Sequence, residues 1–423
     1  MYKGCSGEVG GSKTELQHQT DREVSGSAPA VMSRADLWTW TPVAHDTRFA
    51  LAHHTCTPIH GKLYLYGGVK STDLKDPPHN DIVTFDPEKT AADSGGQGGP
   101  FRRSHHDTVV LNNRLLCVVG GWDGAQRLST ICSYDTETRE WASWAEEPSS
   151  NPPAGLSSHT CTKISDRELC VVGREGGLRT QRRYASVYTL HLNTRAKTYR
   201  QVTCVLVTWL SAHLSLKSAC VIHRYKEEES HIASRSGHST VLLQSRIRHG
   251  TRHGRSLFVF GGRESAANDL VGWWEAGKIQ ENVSPSSLLY EQLSKLVTSD
   301  KSKHEAPKSL RHHSCSTIGP FIVVYGGETL ARSRDAVCND LYVCDTREFF
   351  FDLYILHLIM FPSPQYPFTG CTPMSWFRFH GSDPRQKRVG HQTCLLNGRL
   401  YLVGGFGADG RTPCPDISVL DFL

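Results

Sequence analysis

Histidine and cysteine recur in this 423-residue chain at regular places. Such recurrence invites a search for metal or acid–base chemistry. A His or Ser stands at one equivalent position in six segments: His53, His105, Ser158, His238, His312 and His391. Each precedes a glycine, by 14, 15, 15, 23, 14 and 13 residues in that order. Cys56, Cys161, Cys315 and Cys394 follow the same position by three residues. Imidazole and thiolate are the usual zinc and copper ligands, and imidazole is the commonest general base. One member per repeat, however, predicts side chains spread around a symmetric body, not gathered on one ion. The histidines are therefore read as bonding to loop carbonyls. The cysteines are read as compact apolar residues of a buried strand. No C-x-x-C pair has zinc spacing, and neither a phosphate-binding loop nor a nucleophile elbow occurs. No catalytic, metal or cofactor residue is assigned, and the chain is expected not to be an enzyme.

The elements that carry these residues are strands. Apolar runs end in paired glycines at Gly67–Gly68, Gly120–Gly121, Gly261–Gly262, Gly326–Gly327 and Gly404–Gly405. A sixth run keeps Gly173 and has Arg174 in second place. Paired glycine ends a strand where the backbone needs positive φ or close approach. A further strand follows, ending in an apolar residue and Asp, as in NDIVTFD, STICSYD, NDLYVCD and DISVLD. Trp141, Trp144, Tyr199 or Trp376 then marks a fourth strand in several units. The first two units repeat at 52 and 53 residues, close to the ~50-residue period of kelch arrays.

These motifs resemble the kelch-repeat family. The resemblance implies an all-β, six-bladed kelch-type β-propeller spanning residues 32–423. Asp36–Val43, with Trp38 and Trp40, is read as the missing outer strand of the last blade, closing the ring and leaving no open sheet edge. Residues 1–31 are polar and Gly/Ser-rich, so they read as a disordered extension. Three inserts interrupt the repeats, at about 201–224, 281–303 and 348–371. The middle one carries SPSSLLYEQLSKLVTSD, with Leu289, Leu293, Leu296 and Val297 on one face, and predicts one short helix. The apolar outer two are read as loop additions too short to span a membrane.

The net charge of +5 is too small to argue for nucleic acid. No apolar signal segment opens the chain, which points to a monomer in the cytoplasm or nucleus with free thiols. Function is then expected at loops: a non-catalytic protein-interaction scaffold or adaptor. Arg174, Arg179, Arg182 and Arg183 crowd one loop, with Trp122 in a neighbouring one, and are the candidate anchors for an acidic protein segment. The family resemblance adds a cyclin as a candidate partner. Substrate recruitment to a cullin-type ubiquitin ligase is the alternative, and a kelch-fold metalloenzyme ranks below both.

Overall fold

The computed structural model describes residues 37–96, 98–176, 182–193, 195–201, 207–209, 221–223, 235–247, 253–262, 269–276, 284, 287–299, 307, 309–331, 334–347, 350–351 and 374–423. The expected extension at 1–31 lies outside them, as does most of the insert at 348–371.

The strand runs anticipated from the glycine pairs form antiparallel sheets arranged in chain order. The first contains β2 (Thr55–Ile59), β3 (Lys62–Tyr66), β4 (Ile82–Asp86) and β5 (Ala91–Ser94). The second contains β6 (Asp107–Leu111), β7 (Leu115–Trp122), β8 (Arg127–Asp135) and β9 (Trp141–Ser143). The third runs through β11 (Thr160–Ser165), β12 (Glu168–Gly176), β13 (Arg182–Asn193) and β14 (Ala196–Gln201), with the short β10 (Ala145–Glu146) parallel to β14. Another contains β20 (Ser314–Ile318), β21 (Phe321–Tyr325), β24 (Leu341–Asp345) and β26 (Ser375–Phe379). Above it, β22 (Glu328–Ala331) and β23 (Arg334–Val337) form a separate hairpin. The last joins β27 (Gln392–Leu396), β28 (Arg399–Val403) and β29 (Asp416–Phe422) to β1 (Trp38–His45).

Ring closure follows the sequence reading. Strand β1 pairs antiparallel with β29, Trp38 opposite Phe422, Trp40 opposite Leu420 and Thr41 opposite Val419. Trp38 and Trp40 are buried and meet the Tyr325 ring edge-on at 6.0 and 5.0 Å. The closing strand thus also fills the gap to the preceding sheet, where aromatic pairs add about 1 kcal/mol beyond the area they bury.

Six equal blades were expected, and five sheets follow that plan. The remaining one does not. It has the order β16-β15-β19-β18-β17-β25, built on β17 (His238–Ile247), β18 (His253–Gly261) and β19 (Asp269–Ala276). Among the described residues, no later strand covers β19. Its outer edge is paired instead by β15 (Val207–Trp209), backed by β16 (Val221–His223), both from the insert at 201–224. The short β25 (Phe350–Phe351), from the insert at 348–371, runs parallel to the end of β17. These inserts were read as loops outside the sheets, which is corrected at these three strands. An uncovered edge presents unpaired N–H and C=O groups, and β15 pairs with that edge at Asp269–Val271 of β19.

The predicted helix is α1 (Leu288–Ser299). Leu289, Leu293, Leu296 and Val297 are buried in one cluster with Trp38, Ile318, Phe321 and Leu400. Its apolar face is therefore covered by the flank of two adjacent sheets. Among the described residues, no helix is long and apolar enough to cross a membrane.

Candidate functional site

The innermost strands begin at the axis, at the end of the ring where the glycine pairs lie. His53, His105, Ser158, Gly237, His312 and Gly390 stand there with φ between 51° and 67°. Six backbone hydrogen bonds of 2.7–3.0 Å join them in a closed cycle, each N–H donating to the carbonyl of the preceding member and His53 donating to Gly390. The next residue is histidine every time: His54, His106, His159, His238, His313 and His391. All six are buried. Nε2 of His106, His238, His313 and His391 lies 2.8–3.1 Å from a hydroxyl on the preceding sheet, from Thr55, Thr160, Ser239 and Ser314 respectively. Burial lowers the pKa of His54 and His313 to about 4 and of His159 to about 3. It carries His106, His238 and His391 well below the ordinary value.

The glycine pairs pack onto this ring. A Cβ at Gly67, where φ is +66°, would lie 2.4 Å from the Arg103 carbonyl oxygen and 2.8 Å from His106 Cε1. No side chain fits there.

Two corrections to the sequence reading follow. The equivalent of His53 is Gly237 in one repeat and Gly390 in another, so His238 and His391 belong to the second ring. Cys394 is displaced in the same way. It pairs with Tyr401, three residues before Gly404, whereas Cys56 pairs with Leu65, two before Gly67. A one-residue offset turns a strand residue to the opposite face. The legible signal was a dipeptide ending in His, present in all six repeats.

The second correction concerns convergence. His53, His105 and His312 do come together, each offering a ring nitrogen within 4.8 Å of the others. The rings of His53 and His105 stack at 3.9 Å, and His312 meets His53 edge-on at 4.6 Å. Equivalent positions converge because they sit at the axis itself, where a ring of sheets is narrowest. A cavity of about 100 Å³ opens among both sets of residues.

The candidate anchors at this end are mostly committed to structure. Arg174 is buried, with Nε 3.2 Å from Ser186 Oγ, Nη1 donating to the Gly155 carbonyl at 3.3 Å, and its guanidinium 4.1 Å from the Tyr184 ring. Trp122 is half-buried under Arg127, whose guanidinium lies 5.4 Å from its ring and pairs with Glu175 at 3.0 Å. Arg183 is half-buried. Arg182 lies in β13, and Arg179 falls outside the described residues.

A second concavity lies at the opposite end, where the β6–β7, β8–β9, β11–β12 and β13–β14 turns meet. This cleft of about 870 Å³ is lined by Arg114, Arg139, Arg167 and Arg195, with Trp141 and Trp144 beneath. Asp135 accepts a bidentate bond from Arg114, and Asp166 pairs with Lys163 at 2.6 Å. Arg139, Arg167 and Arg195 are exposed and form no ion pair among the described residues. Arg139 and Arg195 sit at turn positions with φ of 61° and 71°, a left-handed conformation that costs a residue with a Cβ about 1–2 kcal/mol. The sequence reading missed this group because its members come from separate turns of two adjacent sheets, one arginine per turn.

Comparison with known proteins accords with this architecture. Residues 30–177 match the family model described as the KLHDC2/KLHL20/DRC7 Kelch-repeats domain. The human Kelch domain-containing protein 9 is 46% identical over 386 residues, covering 91% of this chain and 96% of that protein. The mouse Kelch domain-containing protein 9 is 46% identical over 392 residues, 92% of this chain and 97% of its own. The solved structure of YjhT aligns with 88% of this chain and 97% of its own at a TM-score of 0.49 and 10% identity. Glycine-paired strands, a closed array of sheets and near-half identity across almost all of both relatives place this chain in the kelch-repeat propeller family.

Proposed function

We propose that this chain is a non-catalytic protein-interaction module that captures an acidic protein segment. We also read the composite sheet as the fourth of six blades, a count supported by the six-membered cycle of axial hydrogen bonds. The observation that carries the binding reading is the cleft. Three arginines without carboxylate partners among the described residues, two of them on strained turns, face an 870 Å³ concavity floored by two tryptophans. Guanidinium forks match carboxylates bidentately, and Arg and Trp are the residues that dominate interface energies. The binding end thus moves from the Gly-Gly loops to the opposite face, while the partner chemistry stays as the sequence suggested.

The test replaces Arg139, Arg167 and Arg195 together with Glu and compares proximity labelling in cells, with a cyclin among the baits. Loss of one such anchor costs about 2 kcal/mol, or roughly 30-fold in affinity. The triple variant should therefore lose capture of its acidic partners, and the Arg182→Glu/Arg183→Glu pair should retain it. The opposite pattern returns the site to the Gly-Gly end, and unchanged capture by both variants refutes an arginine-read acidic partner. Ligase recruitment through α1 gains no support, because the apolar face that would dock is buried against the ring.

A further inference from the structure

The axial histidines at the channel mouth do more than the ring requires. Their position is left-handed in every repeat, and Gly237 and Gly390 fill it without strain. His53, His105 and His312 hold it at φ of 55°, 54° and 51°, each against a bias of about 1–2 kcal/mol. The two glycines also make room for them. A Cβ at Gly390 would lie 2.8 Å from His53 Cε1, and one at Gly237 would lie 2.7 Å from His312 Cδ2. Without those side chains, His53 and His312 lean toward each other across the mouth.

The rings are also oriented from behind. Glu328 Oε1 lies 3.4 Å from His312 Nδ1, and Ser104 Oγ lies 3.0 Å from His105 Nδ1. A carboxylate or hydroxyl on one ring nitrogen is the usual support for a metal-binding imidazole, because it sets the tautomer and presents the other nitrogen. Both contacts leave Nε2 available.

We propose that His53, His105 and His312 form a binding site for one zinc-class divalent cation at the Gly-Gly mouth of the axial channel. Zinc bonded tetrahedrally at ~2.0–2.1 Å sets its nitrogens ~3.3 Å apart. The three nitrogens already lie within 4.8 Å of one another, and since the His53 and His105 rings stack at 16°, one of the two must turn about its side-chain bonds so that both in-plane lone pairs meet the ion. The nearby cations are balanced: Arg311 pairs with Glu328 at 2.9 Å and Arg127 with Glu175 at 3.0 Å. Three imidazoles leave the fourth position to water or to a group on a bound partner.

The full chain, stripped with a chelator, is titrated with Co²⁺ and then back-titrated with Zn²⁺. The proposal requires one equivalent of cobalt with the intense visible bands of a tetrahedral nitrogen site, no thiolate charge-transfer band, and displacement by zinc. His105→Gln and His312→Gln should each lower zinc affinity by at least ~100-fold, and Glu328→Gln by roughly 10–100-fold as an orienting partner. The exposed His60→Gln should change nothing. Absence of the bands in the parent protein, a thiolate band, or retained affinity in the two histidine variants overturns the site. If circular dichroism shows that those two variants do not fold, the parent spectrum and the folded Glu328→Gln protein decide it.

Discussion

Acidification should unfold this ring well above the pH at which its hydrogen-bonded surface carboxylates titrate. Six buried histidines, His54, His106, His159, His238, His313 and His391, are held neutral between adjacent sheets. A histidine depressed in the folded state contributes stability that is present above its unfolded pKa of 6.5 and lost as pH falls below it. At pH 5.5 each such histidine costs about 1.4 kcal/mol relative to pH 7.5. Six together cost on the order of 8 kcal/mol, comparable with the whole stability of a typical domain, about 5–15 kcal/mol. Among the described residues, one group opposes this. Burial raises the Asp107 carboxyl to about 6 against the backbone N–H bonds from Cys161 and Thr108. A raised carboxyl favours the fold when protonated, so Asp107 returns only about 1 kcal/mol over the same fall in pH. Asp46, Asp135 and Asp409, lowered to about 2 by their hydrogen-bonding partners, hold their contribution until well below this window. Urea titrations at pH 7.5, 6.5 and 5.5 read the effect. The midpoint should fall steeply below pH 6.5, and more steeply in Asp107→Asn, which lacks the opposing group. An unchanged midpoint between pH 7.5 and 5.5 would refute the neutral ring.

Two further substitutions test the packing. Trp40→Ala should cost about 3–5 kcal/mol in urea titration, since it empties the wedge beside Tyr325, and loosening β1 should expose β29 and produce dimers or larger species by size-exclusion chromatography. Gly67→Ala should cost upwards of about 3 kcal/mol through its clash with the Arg103 carbonyl, while Gly61→Ala, with φ of +74° and nothing within 4 Å, should cost only the backbone strain of about 1 kcal/mol; equal losses would show that strain alone explains the paired glycines.

The paired glycines, the apolar strand runs, the closing tryptophans and the amphipathic helix were all legible in the chain. Each is a local rule: positive φ demands glycine, alternation demands a strand, and three-to-four spacing demands a helix face. The alignment of the axial histidines was not, because two loops differ in length and one residue of slip reverses a strand's faces. Nor could the chain announce that Val207–Trp209 would cover the edge of β19. Edge pairing depends on which strand arrives in space, not on what stands beside it in sequence. What the sequence by itself determined is the repeating unit and the residues that end and seal it. Tertiary structure alone decided which residues meet. Closing the array brings His53, His105 and His312 from three repeats to one axis and Arg139, Arg167 and Arg195 from three turns to one cleft. The distances that make a site are set by ring closure, and no spacing along the chain encodes them.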